Sequence, residues 1–215
     1  MAKISATKVV FFDALGTLVD LEPPWIGLRE RLGDSDGIPD QQLVAAVKAE
    51  MAYYKEHSSE GRDEASLADL RERCAAVLSQ ALGRDVSAET LIESIRFDAF
   101  PDVAPALGEL RSRGLGLFCV SNWDVSLSQV LGRCGLREAL DGVVTSAQTG
   151  ARKPDPAIFD AALRLAGCDA DEALHVGDTP EEDLAGARAA GVRALLIERD
   201  GGGDIASLEE IAEHV

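Results

Sequence analysis

Aromatic side chains are scarce in this sequence, with two Trp, two Tyr and six Phe among 215 residues. The core must therefore be filled mainly by Ala, Leu, Val and Ile. Basic residues are outnumbered, with 21 Lys and Arg against 38 Asp and Glu, giving a net charge of −17. Such a field repels nucleic-acid backbones and anionic membrane surfaces, and both are excluded as main partners. It also repels an anionic substrate at long range, so such a substrate needs local cations. No stretch reaches the roughly 18 apolar residues needed to span a bilayer. The run Val9-Val10-Phe11-Phe12 is too short for a secretory signal core and stops at Asp13. The four cysteines, Cys74, Cys119, Cys134 and Cys168, form no CxxC pair. They read as reduced, packed thiols rather than disulfides or metal ligands. A cytoplasmic location is expected.

What is present is an alternating pattern. Residues 8–12 form a β-rich run that ends at Asp13, and Gly16-Thr17 suits a tight turn. Similar runs lie at Leu115–Val120, Val143-Val144, Ala173–Val176 and Ala194–Ile197. Helical stretches are expected at Ala104–Arg113, Asp124–Arg133, Asp155–Ala166 and Asp183–Ala190, each closed at or near a glycine. Short connections between alternating strands and helices predict an α/β fold, a Rossmann-like parallel sheet with helices on both faces. Ligands of such sheets bind at the carboxyl ends of the strands, where Asp13, Ser121 and Asp178 fall. Residues 21–96 break the alternation and read as helical throughout, with apolar spacing at Leu43, Val44, Val47 and Met51, then Leu67, Leu70, Cys74, Val77 and Leu78. The predicted division is a core of 1–20 and 97–215 with a helical cap at 21–96, hinged at Pro23-Pro24 and Phe97–Pro101. A flexible loop is expected at Gly201–Gly203 and a closing helix at Ile205–His214.

Four pieces carry chemistry: Phe11-Phe12-Asp13-Ala14-Leu15-Gly16-Thr17-Leu18; Ser121 closing a hydrophobic strand; Lys153 in Arg152-Lys153-Pro154-Asp155-Pro156; and Gly177-Asp178-Thr179-Pro180-Glu181-Glu182-Asp183. Singly, each has an ordinary explanation: a turn or helix-cap Asp, a turn Ser, a solvated Lys. Together and in this order they resemble the haloacid dehalogenase superfamily of hydrolases. The resemblance covers residues 8–20 and roughly 97–200, and it matches the insert by position only.

The resemblance implies an enzyme working through a covalent aspartyl intermediate, with Asp13 as the nucleophile. Lys153 would neutralise charge on the nucleophile and substrate. Ser121 and the backbone amide of Asn122 would hold substrate oxygens, and Thr17 would orient the loop or bind the same oxygens. Asp13 and Asp178 would hold Mg²⁺; Asp183 would bind the metal, a metal water or Lys153. Crowding of Asp13, Asp178 and Asp183 should raise at least one carboxylate pKa when no metal is bound.

One position departs from the pattern. Phosphatases of this superfamily usually carry a second Asp two residues after the nucleophile, and here that residue is Leu15. Loss of such an acid/base group costs about 10²- to 10⁴-fold in rate. Haloacid dehalogenases also lack it, because a halide leaves without a proton. The Gly177–Asp183 segment, however, looks like the metal-binding version that dehalogenases do not carry. A Mg²⁺-dependent phosphatase acting on a small, anionic phosphorylated metabolite is the leading expectation. A metal-independent 2-haloacid dehalogenase, or a weakly active binding or regulatory protein, is the alternative. Asp20, Glu22, Glu56, His57 and Glu60 are candidates to replace the missing acid. Trp25, Arg29, Tyr53, Tyr54, Lys55 and His57 are candidate cap contacts, with helix packing as the competing role for the tyrosines. Trp123 walls the pocket or joins the core, and His175 reads as a structural, buried histidine.

Overall fold

The computed structural model describes residues 6–33 and 37–215. The expected ranges 1–20 and 21–96 thus include residues 1–5 and 34–36, which lie outside the described residues.

Five strands form one parallel sheet: β1 (Val9–Phe12), β4 (Gly116–Ser121), β5 (Gly142–Thr145), β6 (Ala173–Gly177) and β7 (Arg193–Leu196), in the order β5-β4-β1-β6-β7. β1 is central, and all four of its residues are buried. Its pleat sends alternate side chains to opposite faces. Val10 and Phe12 pack with α5 (Val103–Ser112), α6 (Leu127–Arg133) and the closing segment at Leu208 and Ile211. Val9 and Phe11 pack with Ile158, Phe159 and Ala162 of α8 (Ala157–Ala166) and with Ala187 of α9 (Ala185–Ala189). A strand buried on both faces reads as a continuous apolar run, as Val-Val-Phe-Phe does.

The insert carries α1 (Pro24–Leu32), α2 (Asp40–His57), α3 (Glu64–Leu82) and α4 (Ala88–Ser94). These helices share an apolar cluster of Leu28, Leu43, Val47, Leu70, Leu78 and Leu91, among others. Asp63 caps α3 by accepting from the Ser66 amide at 2.8 Å, and Ser87 caps α4 through the Thr90 amide at 3.1 Å. The described residues of the insert are not helical throughout. Leu21 belongs to β2 (Val19–Leu21), which pairs antiparallel with β3 (Phe97–Ala99). The expected hinge at Phe97–Pro101 is thus partly a strand, and the two chain crossings are tied by backbone hydrogen bonds.

Gly201–Gly203 lies in a turn in which the Gly201 amide donates to Glu198 and the Asp204 amide to Leu196, both at 2.9 Å. One further expectation is corrected. The closing segment is a 3₁₀ helix at Leu208–Glu213, and Ile205 instead bridges Ile197. Its anchor is Asp102, which accepts from the Leu208 amide (2.8 Å), the Ser207 hydroxyl (3.0 Å) and both branches of an Arg199 contact (2.9 and 3.0 Å). Burial pushes the Asp102 carboxyl up, but the Leu208 amide and the Arg199 guanidinium hold it below the usual carboxylate range. Its stabilisation is present above the unfolded value and is lost as pH falls through the lower folded one. Asp102→Asn should therefore cost about 1–3 kcal/mol at neutral pH, by urea denaturation, with the difference shrinking below about pH 4.

Candidate active site

Parallel strands bring their C-terminal ends to one edge. Asp13 follows β1, Ser121 ends β4, and Asp178 follows β6. The turn after β1 is tight: the Leu18 amide donates to Ala14 at 2.8 Å and the Gly16 amide to Val19 at 2.9 Å. Gly16 has φ +83°, and a Cβ there would lie 2.2 Å from Asp178 Oδ2. The absent side chain is what lets the loop close against Asp178. Arg199 braces this loop from behind, donating to the Thr17 carbonyl at 2.7 Å while lying 3.6 Å from the Phe100 ring centre.

Lys153 is buried and its ammonium donates to Asp13 Oδ1 and Asp183 Oδ1, each at 2.5 Å. Asp183 also accepts from His175 Nε2 (2.8 Å) and the Thr179 amide (3.0 Å). A carboxylate only accepts, so His175 carries its proton on Nε2. Asp183 turns inward because a π-type turn over Pro180–Leu184 buries it, and because Gly177 offers no Cβ, which would fall 2.2 Å from the Asp183 carboxyl carbon.

The charges sort by environment. Burial pushes Asp13 up; Lys153 opposes this and Asp183 adds to it. Burial also acts to raise Asp183, but Lys153 and His175 hold it well below the usual range. Burial acts to lower Lys153, and the two carboxylates more than reverse that, so it stays charged. Asp178 has no such cation: burial, Asp13 and Asp183 push it up to about 6. The expected carboxylate crowding is therefore present, and it falls on Asp178 and Asp13.

One oxygen from each of Asp13, Asp178 and Asp183 lies within 4.8 Å of the others. Hard carboxylate oxygens at this spacing fit Mg²⁺. The uncompensated Asp178 is the observation that favours a cation here. Asp183 is the most committed of the three, with both lone pairs of Oδ1 taken and one left on Oδ2.

A cavity of about 440 Å³ opens above this edge, lined by Asp13, Ser121, Asn122 and Asp178 on the core side. Leu15 also lines it and is 39% exposed. Ser121 hydrogen-bonds to Asp13. The Asn122 side chain clasps the Lys153 backbone, accepting from its amide at 2.7 Å and donating to its carbonyl at 3.0 Å. Thr17, expected near substrate oxygens, is wholly buried, does not line the cavity, and has no partner for Oγ1 among the described residues. Its contribution here is its carbonyl, held by Arg199.

Of the expected cap contacts only Tyr54 and Lys55 line the cavity. Arg29 pairs with Asp40, Trp25 packs in the insert, and Tyr53 stacks on His57 at 4.0 Å. Trp123 does both things expected of it, joining the core and walling the cavity. None of Asp20, Glu22, Glu56, His57 and Glu60 lines the cavity; Glu22 and Glu60 are paired with Arg96 and Arg73. Three acidic residues not singled out from sequence do line it, Glu182, Glu50 and Asp124. Glu182 accepts from Asn122 Nδ2 at 2.9 Å and pairs with Lys55 at 3.3 Å. Tyr54 donates to the buried Asp124 at 2.8 Å, and Ser59 to Ser146 at 2.9 Å, so the insert sits directly on the sheet edge.

At this edge an aspartate on the tip of a central parallel strand is paired with a buried lysine and faced by two more aspartates. The sequence model for haloacid dehalogenase-like hydrolases matches residues 7–191, and the chain belongs to that family. It is 48% identical over 91 residues to human haloacid dehalogenase-like hydrolase domain-containing protein 3, covering 42% of this chain and 36% of that one. It is 36% identical over 129 residues to a phosphoserine phosphatase of Thermus thermophilus, covering 57% and 51%. The matches thus span about a third to a half of these relatives' length. Among solved structures, a HAD phosphatase from Thermococcus onnurineus aligns with TM-score 0.67 at 27% identity, over 97% of both chains. A 2-haloacid dehalogenase from Pseudomonas syringae aligns with TM-score 0.67 at 28% identity, over 96% of this chain and 97% of that one. Overall shape does not separate the two chemistries.

Proposed function

We propose that this hydrolase is a Mg²⁺-dependent phosphatase acting on a small phosphorylated metabolite. The observation that carries the reading is Asp178. It is a cavity-facing carboxyl pushed up to about 6 by burial and two neighbouring aspartates, with no cation of the protein to offset it. A dehalogenase that works without metal has no use for such a group.

In this reading Asp13, Asp178 and Asp183 would hold the cation. When bound, Mg²⁺ supplies positive charge that lets an anionic phosphoryl group approach an anionic nucleophile. An Asp13 oxygen attacks phosphorus, the bond from phosphorus to the ester oxygen breaks, and an aspartyl phosphate forms. Water then attacks that phosphorus, releasing inorganic phosphate and restoring the Asp13 carboxylate. Lys153 keeps Asp13 in its anionic, attacking form. Ser121 and the Asn122 amide hold non-bridging oxygens, Asn122 and Glu182 fix the Lys153 loop, and residues 21–96 act as a cap that screens the reaction from water. Leu15 supplies no proton to the leaving oxygen. Acyl and aryl phosphates, whose leaving groups depart as anions, should therefore be turned over far better than alkyl phosphates.

The test is release of inorganic phosphate that requires Mg²⁺, stops with chelator, and is absent in Asp13→Ala. Halide release from 2-haloacids that survives chelator would overturn the reading. Two further outcomes follow. Mg²⁺ at a hundred times its dissociation constant should stabilise the fold by about 2.7 kcal/mol, seen as a raised Tm, and Asp178→Asn should remove most of that shift. Leu15→Asp should raise kcat/KM on alkyl phosphates by about 10²-fold or more, with little gain on acyl phosphates.

A further inference from the structure

Glu50 is the one charged side chain in the described part of 21–96 that is buried, at 5% exposure. It stands on α2, one turn before Tyr54, and lines the same cavity as Asp13. The Cys74 thiol of α3 is the only group of the described residues that hydrogen-bonds to it, and a thiol is a weak donor. No Lys or Arg pairs with it, although Arg71 lines the cavity one turn before Cys74. Burial pushes the Glu50 carboxyl above its usual range. Met51, Leu70, Leu91, Ile92 and Ile95 supply an apolar wall to the same cavity. A carboxyl buried without a paired cation is costly. Besides the Asp13 edge in the sheet and Glu50 in the insert, the cavity lining carries apolar side chains and the cations Lys55, Arg71, Arg133 and Arg152, none of which pairs with Glu50.

We propose that Glu50 is a substrate-recognition residue that receives an ammonium group at the end of the substrate remote from the reacting phosphate, the two joined by a short apolar segment. The proposal rests on the phosphatase reading and narrows it to zwitterionic phosphate esters. A cation gains more than a hydroxyl beside a carboxylate in a low-dielectric cavity. It also reduces the long-range repulsion from the net charge of −17. Tyr54 cannot replace Glu50 as the receptor, since its hydroxyl is already committed to Asp124.

Aminoethyl, aminopropyl and aminobutyl phosphate, set against ethyl, propyl and butyl phosphate, test this with Mg²⁺ present. The best-fitting amino ester should show kcat/KM about tenfold or more above its alkyl counterpart, and Glu50→Gln should bring that ratio close to one. The same preference should appear as binding, by calorimetry, in Asp13→Asn, and should vanish in Asp13→Asn with Glu50→Gln. Equal kcat/KM for the amino and alkyl esters in the unmodified enzyme would overturn the proposal while leaving the phosphatase standing. So would a preference that Glu50→Gln leaves intact, or one matched by the hydroxyalkyl esters. A calorimetric preference that depends on Glu50, with no phosphate released from these esters or from any acyl or aryl phosphate, would sustain the recognition role and refute the phosphatase.

Discussion

Replacing Lys153 by methionine should cost about 3–5 kcal/mol of stability in chelator, which for a marginally stable protein is a large part of the whole. The reason is local. Lys153 is the only cation among the described residues that contacts Asp13, and it holds Asp183 at the same time, both at 2.5 Å. Methionine fills much of the stem's volume but leaves two buried carboxylates facing each other. One of them must then take up a proton or admit water. Mg²⁺ should restore part of the loss by supplying charge at the same place, and Lys153→Met with Asp183→Asn should be more stable than Lys153→Met alone. Urea denaturation of the two variants, with Mg²⁺ and with chelator, reads this directly. A Lys153→Met protein within about 1 kcal/mol of the parent would mean that the buried triad contributes little beyond an exposed ion pair.

Replacing Asp13 by asparagine should do the reverse, sparing the fold and removing the chemistry. Phosphate release should fall by about 10⁴-fold or more, since no other group at the edge can take the nucleophile's place. In chelator the variant should be at least as stable as the parent. It loses a carboxyl that burial and Asp183 push up, and it keeps an amide oxygen for Lys153 to bond. Activity that survives Asp13→Asn within tenfold would move the nucleophile elsewhere.

The strand-tip residues were legible because two local signals coincide at each: a short apolar run and the polar residue that ends it. A parallel sheet then brings those ends together without further instruction, which is why Asp13, Ser121 and Asp178 meet. The β2–β3 pairing was hidden because its strands are three residues long and carry Asp20 and Asp98 at the paired position, leaving no alternation to read. Asp183 stood out only through the family resemblance, and Glu182 was indistinguishable from Glu181 in an acidic run. Only the π-type turn decides that Asp183 is buried and Glu182 half-buried while Glu181 faces water. Glu50 did leave a trace. Leu43, Val47, Glu50 and Tyr54 recur at helical spacing, so the buried face of α2 passes through a glutamate. The apolar stripe alone, read without its polar member, pointed to packing. His175 sits within the apolar β6 and reads as core. Its bond to Asp183 depends on a loop eight residues away that sequence cannot place.

The most direct test of the central claim is acid quenching of the enzyme during turnover of an acyl or aryl phosphate with Mg²⁺, followed by mass analysis of its peptides. The account predicts one phosphoryl group on the peptide that contains Asp13, labile to hydroxylamine and absent when chelator precedes substrate. Phosphate release with no phosphoryl group ever found on Asp13, or an Asp13 alkylated by a 2-haloacid in the absence of metal, would contradict it.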